Sequence, residues 1–375
     1  MRHLVISFFM VILFFVITSC GEKKIELVTV PVTSAWIPVN LNLFNPPEKT
    51  GTYNGKIYYT EAFPEKLIMH FTDEAGNKQK TLTFKRGKGP GEVEAISLIR
   101  VQNQLIYMYD VARQKVSMFD LDGAYIDEIA MSKEMGMFGV MDFMDKTMYY
   151  HAYFGKKLSK VELEQGQMLK SIDHEKPSFD PKDIGGKDFE QGIIRADSFD
   201  KKIYISYYIE PYRIEVYDTD LKLERVLTRE LPEVYEKMKF DSNGGVNGNM
   251  LVSSLETDAR YIYAPFGGGQ RTIINSPQDI KIEGITKKFY ISVFDKKTNT
   301  CVKEIHIEKI DTLTGVVSIL GVTNTSIILL VIDMKDTLKD VIVQKESDKS
   351  EDQKQFGINY SIVVIPNPMY DTAKK

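Results

Sequence analysis

The chain has 375 residues, and its 48 Lys and Arg stand against 52 Asp and Glu, so the formal net charge at pH 7 is −4. A protein that binds nucleic acid usually presents a basic face, and this balance argues against nucleic acid as a partner. The five histidines are scattered, with no pair at helical ligand spacing, so neither a metal motif nor a cofactor is predicted. Length alone allows two domains, although all-β folds often exceed the usual domain size.

The first 19 residues have the pattern of a signal peptide. The apolar run from Leu4 to Ile17 is too short for a comfortable membrane span and suits the core of an export signal. It ends in Ile17-Thr18-Ser19-Cys20-Gly21, which looks like a bacterial lipobox. Cys20 is therefore predicted to be lipidated and to become the mature N-terminus, and two or more acyl chains hold a protein stably on a membrane. Residues 20–35 are predicted to be the tether.

The rest of the chain repeats one unit. A short tyrosine-rich strand is followed by a second strand that ends in an aspartate-rich turn, and the tyrosine-rich strands begin at positions 57, 106, 148, 203, 262 and, more weakly, 327. Repeats of this length made of strands predict a β-propeller. The predicted fold is all-β, a six-bladed β-propeller over residues 36–370, in which the apolar segment 36–41 pairs with the last blade and closes the ring. The alternative, two β-sandwich domains, would need a linker near the middle, and no Pro-, Ser- or Gly-rich seam lies there.

The units are unequal because several carry insertions. The insertions are a polar, Pro-containing stretch at 173–189, a predicted short helix at 231–238, a glycine-rich widening of the fifth unit's second hairpin at 267–284, and a charged stretch at 345–355.

A distinctive string, Lys85-Arg86-Gly87-Lys88-Gly89-Pro90-Gly91-Glu92, lies between the first two units. Three glycines and a proline within five residues impose a tight backbone path. The string is expected to join an outer strand to the next inner strand near the mouth of the central channel, so Arg86, Lys88 and Glu92 are predicted as candidate ligand-binding residues. The alternative is a rigid crossover in which Glu92 accepts backbone N–H bonds and Arg86 pairs with a blade carboxylate.

The lipobox, the Arg-Gly-x-Gly-Pro-Gly-Glu string and the six aromatic–Asp units together make the chain similar to the six-bladed β-propeller lipoproteins of the Bacteroidota, which include the TolB-like and BF3164-like groups. The resemblance covers essentially the whole mature chain. It implies a lipid-anchored protein of the cell envelope, at the outer membrane and facing either the periplasm or the surface. The family has no agreed activity, so the resemblance implies none.

Two functions remain open from the sequence. The first is a non-catalytic binding module for an unknown small ligand, glycan, peptide or envelope protein, because the sequence contains no catalytic constellation such as Gly-x-Ser-x-Gly. The second is a channel-centred, metal-assisted hydrolase or lactonase-like enzyme, as in some other six-bladed propellers. In that reading Glu94, Asp142 and Asp197 lie near predicted inner strands and converge on a divalent ion.

Overall fold

A computed structural model describes residues 25–36, 49–131, 137–164, 168–174, 192–208, 211–231, 235–236, 239–240, 246–249, 251–267, 269–276, 279–284, 289–307, 317–334 and 358–370. The predicted signal peptide, Cys20, most of the predicted helix at 231–238 and the charged stretch at 345–355 lie outside these residues. Within them, no helix has the length and hydropathy needed to cross a bilayer.

Two short strands precede the repeats, β1 (Glu26–Val30) and β2 (Ser34–Trp36). Each of the next four units folds into an antiparallel sheet of four strands, called a blade and numbered along the chain. Blade 1 consists of β3 (Gly51–Tyr53), β4 (Lys56–Ala62), β5 (Lys66–Thr72) and β6 (Lys78–Lys85). Blade 2 consists of β7 (Ile96–Gln102), β8 (Leu105–Asp110), β9 (Lys115–Asp120) and β10 (Tyr125–Ala130). Blade 3 consists of β11 (Met137–Met144), β12 (Thr147–Phe154), β13 (Lys156–Glu162) and β14 (Met168–Asp173). Blade 4 consists of β15 (Gly192–Asp197), β16 (Lys202–Tyr207), β17 (Ile214–Tyr217) and β18 (Leu223–Leu227).

The next stretch of the chain supplies two sheets. Its eight strands are β19 (Lys239–Phe240), β20 (Val246–Asn249), β21 (Glu256–Thr257), β22 (Tyr261–Phe266), β23 (Gly269–Ser276), β24 (Asp279–Gly284), β25 (Tyr290–Asp295) and β26 (Thr300–Ile307). Blade 5 has the order β21-β22-β25-β26, and the remaining four strands form a separate sheet in the order β19-β20-β23-β24. The predicted widening at 267–284 is thus the main hairpin of an additional sheet. Blade 6 consists of β27 (Val317–Val322), β28 (Ser326–Met334) and β29 (Ile358–Pro366), with β2 as its outermost strand.

The blades close into a ring through their innermost strands. These strands contact one another in the order β3, β7, β11, β15, β21 and β27, and β27 contacts β3 again. Each tyrosine-rich strand of the sequence repeat is the second strand of its blade. The prediction of a six-bladed β-propeller is confirmed.

The N-terminal segment joins the last two blades. β2 pairs antiparallel with β29, with Ser34 opposite Val364, so an N-terminal strand closes the ring as predicted. The strand is Ser34–Trp36, however, and of the predicted segment 36–41 only Trp36 belongs to it, since 37–41 lie outside the described residues. β1 pairs parallel with β26 and adds a fifth strand to blade 5. Residues 26–30 thus belong to the ring, although they lie inside the stretch predicted to be a tether. Val30 is buried in the hydrophobic core, opposite Ile307.

The repeat has a clear physical basis. The tyrosines of the second strands are buried in the packing between strands and blades. Those with less than 2% of their surface exposed are Tyr58, Tyr59, Tyr149, Tyr150, Tyr204, Tyr207 and Tyr263. The aspartates lie at the end of the third strand, where one carboxylate oxygen accepts two backbone N–H bonds from the turn, as at Asp73, Asp120, Asp218 and Asp295. Such side-chain bonds replace backbone pairing in a tight turn.

The ring has two faces. On one, called the cavity face, lie the turns between the first and second strands of each blade, such as the two-residue turns Asn54-Gly55 and Asn103-Gln104, where all four residues have positive φ. On the other, called the crossover face, each outer strand connects to the next inner strand, because successive strands of a blade run in opposite directions. Residues 86–95 lie on the crossover face.

Candidate functional site

A cavity of about 210 Å³ lies at the centre of the ring. It is lined by residues from all six innermost strands, namely Thr52, Arg100, Asp142, Arg195, Glu256 and Leu320 with some of their neighbours. Most are near the C-terminal ends of those strands, so the cavity lies toward the face that carries the turns between first and second strands, which is why it is called the cavity face. Phe199 also lines it and is 68% exposed, which places this ring at the mouth.

One position of the repeat supplies the centre of this site. It is the inner-strand residue directly opposite the tyrosine that follows the leading Ile or Met of the repeat. In blades 1 to 6 it is Gly51, Arg100, Asp142, Arg195, Glu256 and Gly321, the last lying opposite Ile328. Four consecutive blades therefore carry alternating charge, and the two remaining blades carry glycine.

The four charged side chains form a continuous chain of ion pairs. Nε of Arg100 lies 3.4 Å from Oδ1 of Asp142, and Nη1 of Arg195 lies 3.4 Å from Oδ2 of the same carboxylate. Nη2 of Arg195 lies 2.9 Å from Oε2 of Glu256. Asp142 also accepts a 3.0 Å bond from the backbone N–H of Ala196, so it is the fixed centre of the chain. The 3.4 Å separations are longer than those of well-formed charge-assisted hydrogen bonds, which are about 2.7–2.9 Å.

A second ion pair lies at the edge of the cavity. Asp197 lines the cavity and pairs with Lys296, which comes from the turn between β25 and β26. Lys296 also donates to the carbonyl oxygen of Asp258. This pair joins blade 4 to blade 5 and neutralises Asp197.

Burial and charge act in opposite directions on these groups. Burial lowers the pKa of Arg195, but the carboxylates of Glu256 and Asp142 more than offset this and raise it overall. Burial raises the pKa of Glu256 to about 7, against the opposing effect of Arg195 and Arg100. The guanidinium groups thus stay charged at neutral pH, whereas Glu256 is poised between its two forms.

At Gly51 and Gly321, in blades 1 and 6, hydroxyl groups occupy the space that a side chain would fill. A side chain at Gly51 would meet the hydroxyl of Tyr58, and one at Gly321 would meet the hydroxyl of Thr52. Tyr58 donates to the carbonyl oxygen of Ile99 at 3.3 Å, and Thr52 donates to that of Leu320 at 3.2 Å. The cavity therefore has a charged side in blades 2 to 5, and an uncharged side formed by the hydroxyls of Thr52 and Tyr58 in blade 1 and by Leu320 in blade 6.

The candidate residues predicted from the Gly-Pro-Gly string do not line this cavity. Glu92 accepts a 2.9 Å bond from the backbone N–H of Gly89 and pairs with Lys85 at 2.5 Å. Arg86 donates to the carbonyl oxygen of Glu94, and Lys88, 80% exposed, lies 3.7 Å from the Glu94 carboxylate. The three residues thus share one crossover, on the face opposite the cavity mouth.

The carboxylates predicted to converge on a metal ion are divided. Asp142 and Asp197 both line the cavity, whereas Glu94 belongs to the crossover. Among the described residues, no group of three or more His, Cys, Asp or Glu is arranged to hold a metal ion. Asp142 and Asp197 have cationic side chains beside them instead, from Arg195 and Lys296.

Sequence reasoning missed Arg100, Arg195 and Glu256. The signal that locates them is spacing within the repeat. The central residue precedes the tyrosine of the Ile-Tyr or Met-Tyr pair, or Ile328 in blade 6, by seven residues in five blades and by nine in blade 4. Because side chains directly across an antiparallel pair lie on the same face of the sheet, one marked residue on the second strand identifies its partner on the first.

Comparison with known families agrees with this architecture. The family model described as DUF5128, 6-bladed beta-propeller, matches residues 41–332. The chain belongs to this family. The matched part of this DUF5128 protein contains the central position of all six blades.

Two solved structures are similar to this chain at low sequence identity, and the first of them supports the fold. A member of the DUF4221 family from Bacteroides vulgatus is 11% identical, with a TM-score of 0.56, over 92% of this chain and 99% of that one. A candidate exported protein from Bacteroides fragilis is also 11% identical, with a TM-score of 0.48, over 91% of this chain and all of that one. No curated protein matches this DUF5128 sequence.

Proposed function

We propose that this protein is a lipid-anchored, non-catalytic binding module of the cell envelope that takes a small polar ligand into its central cavity. The lipobox around Cys20 supports the anchor. The observation that carries the binding role is the central position of the repeat, where four blades direct alternating charges at one small cavity. A volume of about 210 Å³ is below the ~300–1,000 Å³ of typical ligand clefts and suits a compact molecule.

We also propose an outer-membrane location and membership of the TolB-like or BF3164-like lipoproteins, on the lipobox and the Arg-Gly-x-Gly-Pro-Gly-Glu string. The crossover residues Arg86, Lys88 and Glu92 remain a proposed second binding surface, for a glycan, a peptide or an envelope protein. The exposed ammonium group of Lys88 favours this role. The bonds of Glu92 and Arg86 within the crossover favour a structural role for those two residues.

The binding role is tested by a screen on the mature protein, purified from its membrane in detergent. Small polar compounds are screened for an increase in melting temperature, with Arg100→Gln and Lys88→Ala proteins in parallel. A ligand at 100 times its Kd stabilises the folded state by about 2.7 kcal/mol. We expect hits that stabilise wild type and Lys88→Ala but not Arg100→Gln. Compounds that stabilise wild type and Arg100→Gln but not Lys88→Ala would place the binding site at the crossover instead. Compounds that stabilise all three proteins would contradict both proposed surfaces.

A further inference from the structure

The two ends of the charged chain differ from its middle. Asp142 and Arg195 each have an oppositely charged neighbour on both sides, whereas Arg100 has a carboxylate on one side only, because the corresponding position of blade 1 is Gly51. At the other end, Glu256 has Arg195 on one side and blade 6 offers Gly321. The ring of alternating charge is thus interrupted by two glycines, with a cation at one end of the gap and a carboxylate at the other.

Both guanidinium groups of the charged chain are incompletely bonded. The Nε–H groups of Arg100 and Arg195 are buried and have no hydrogen-bond acceptor among the residues that the structure describes. Arg100 has Asp142 at 3.4 Å and the hydroxyl of Tyr58 near it, and its side chain is 25% exposed, into the cavity that it lines. A guanidinium has five N–H donors, and a buried donor without an acceptor is costly. Asp142, at 3.4 Å, thus leaves Arg100 without a well-formed hydrogen bond to the one carboxylate that pairs with it in the described part of the chain.

The charges around the cavity also limit what can enter. Arg100, Arg195 and Lys296 balance Asp142, Asp197 and ionised Glu256, so an added anion would leave the site one charge negative. Protonation of Glu256 would restore the balance and would convert its carboxyl group into a donor. The charged groups that act on Glu256 are Arg100, Asp142, Arg195 and Asp197, from β7, β11 and β15. Tyr58 of β4 also faces it, Tyr263 lies opposite it on β22, and β27 contributes no charged group.

We propose, resting on the binding role above, that the ligand carries a carboxylate, which Arg100 binds in the gap beside Gly51 while Glu256 takes up one proton from solvent. The bound carboxylate pairs with the part of the Arg100 side chain that is exposed to the cavity, on the side where Gly51 supplies no carboxylate. The protonated Glu256 donates a hydrogen bond to the same molecule. The raised pKa of Glu256, about 7, makes this proton uptake accessible near neutral pH.

The test uses isothermal titration calorimetry on the mature, detergent-solubilised protein with matched probes. Acetate is compared with acetamide, and D-glucuronate with D-glucose, so that each pair differs mainly in the carboxylate. Titrations at pH 6 and pH 8, each in two buffers of different ionisation enthalpy, measure the protons taken up. The variants are Arg100→Gln, Arg100→Lys and Glu256→Gln, with Arg260→Gln as the control, since Arg260 lies on the same face but does not line the cavity.

We expect at least one carboxylate to bind at least tenfold more tightly than its neutral match, with close to one proton taken up at pH 8 and affinity falling up to tenfold per pH unit above 7. Arg100→Gln should weaken binding by about 10–100-fold, as loss of a charge-assisted pair does, and Arg100→Lys by less. Glu256→Gln should bind without proton uptake, and Arg260→Gln should match wild type.

Equal binding of the neutral and charged probes would overturn the carboxylate assignment and leave the binding role intact. The absence of carboxylate binding up to about 10 mM, a concentration high enough to detect millimolar affinity, would also overturn the carboxylate assignment and leave the binding role intact. Binding without proton uptake would overturn the part played by Glu256. If Arg100→Gln does not fold, as judged by its circular dichroism spectrum, the proton count in Glu256→Gln decides. Failure of the wider screen, by contrast, would remove the binding role itself.

Discussion

Glu256 is buried beside a guanidinium group yet has a raised pKa, because the cost of removing its charge from water exceeds the attraction of Arg195 and Arg100. Asp142 and Asp197 add to the rise, since both are negative. A carboxyl group in this condition opposes folding when it is ionised. The same condition makes it responsive to a ligand, because a small change in the local charge shifts the balance between its two forms.

The stability of the protein should therefore depend on pH through Glu256. Its pKa is about 7 in the folded protein, against 4.5 for an ordinary glutamate, so between these values the folded state binds more protons than the unfolded state. Stability from this group is complete below pH 4.5 and falls as the pH rises to 7, by up to about 1.4 kcal/mol per pH unit. We expect Glu256→Gln to lose this dependence, which urea unfolding at pH 5 and pH 8 would measure.

The control for that experiment is Glu94→Gln, on the crossover face. It should keep the wild-type difference in unfolding free energy between pH 5 and pH 8, whereas Glu256→Gln should reduce that difference by about 1–3 kcal/mol. If both variants retain the full difference, Glu256 is not the group responsible.

Gly91 is a second residue whose role is set by local geometry. Its φ of 72° is left-handed, and a Cβ there would lie 2.9 Å from Cβ of Tyr125 on the outer strand of blade 2. Gly55 has nearly the same φ, 71°, with open space around it. The two positions thus separate conformational strain from steric contact.

Gly91→Ala should destabilise the protein by about 2–4 kcal/mol, since strain of ~1–2 kcal/mol is joined by the collision with Tyr125. Gly55→Ala should lower the free energy of unfolding only by the part that comes from backbone strain. Chemical denaturation of both variants measures the difference. Equal losses would mean that the crossover moves aside freely, and would count against a rigid path at residues 86–92.

At the level of elements, β1 is the least expected part of the ring. It adds to the outer edge of blade 5 in parallel, with Val30 buried beside Ile305 and Ile307, whereas Leu27 is 57% exposed. It covers an edge that would otherwise present unpaired backbone groups. Its contribution to stability should therefore come from its buried face and its backbone pairing.

Val30→Asp should destabilise the fold by about 3 kcal/mol or more, because it places an unpaired charge in the core. Leu27→Asp, on the exposed side of the same strand, should change the free energy of unfolding by less than about 0.5 kcal/mol. Thermal and urea unfolding compare the two. Comparable stability of both variants would show that β1 does not pack as described.

The repeat allowed the propeller to be predicted, since burial of the tyrosines and turn formation by the aspartates are local effects that recur in each blade. Of the charged site, only Asp142 and Asp197 were predicted, as carboxylates of a metal site. Arg100, Arg195 and Glu256 were not, because their position depends on strand register. Arg100 and Glu256 lie on inner strands of different blades and become neighbours of the same cavity only when the ring closes. The Gly-Pro-Gly string led to the prediction of Arg86, Lys88 and Glu92 as binding residues, but the carboxylate of Glu92 bonds to Gly89 and Lys85 of the same segment.

In the whole molecule, β1 also fixes where the N-terminal segment leaves the ring. β1 runs parallel to β26, whose first residue follows the turn 296–299, and that turn lies on the cavity face. Glu26, opposite Lys303, is therefore the end of β1 nearer the cavity face, at the outer edge of blade 5. With Cys20 lipidated as proposed, the few intervening residues reach at most about 20 Å, at roughly 3.3–3.6 Å each. The cavity face should then be held near the bilayer.

Cys20→Ser should release the protein from the membrane fraction, because the acyl chains can no longer be attached. Fractionation and immunoblotting measure this, with Cys301→Ser as the control that stays on the membrane. Retention of the Cys20→Ser protein would contradict the lipid anchor.

The orientation can be measured separately. A fluorophore attached at Arg260→Cys on the cavity face should be quenched more strongly by a lipid-borne quencher than one at Lys88→Cys on the crossover face, both in a Cys301→Ser background. Equal quenching would mean that the ring has no preferred orientation on the membrane.

The closure of the ring by its first strands has a consequence for the order of events during synthesis. Thr33 bonds to Val364, 331 residues away, so the strands that leave the ribosome first are among the last to find their partners. Blades 1 to 4 can each form from one continuous stretch, whereas blades 5 and 6 need both ends of the chain. Such long-range pairing is slow, and unpaired edges invite association with other chains. A nascent chain that stops before β29 would carry an open edge that no local rearrangement can close.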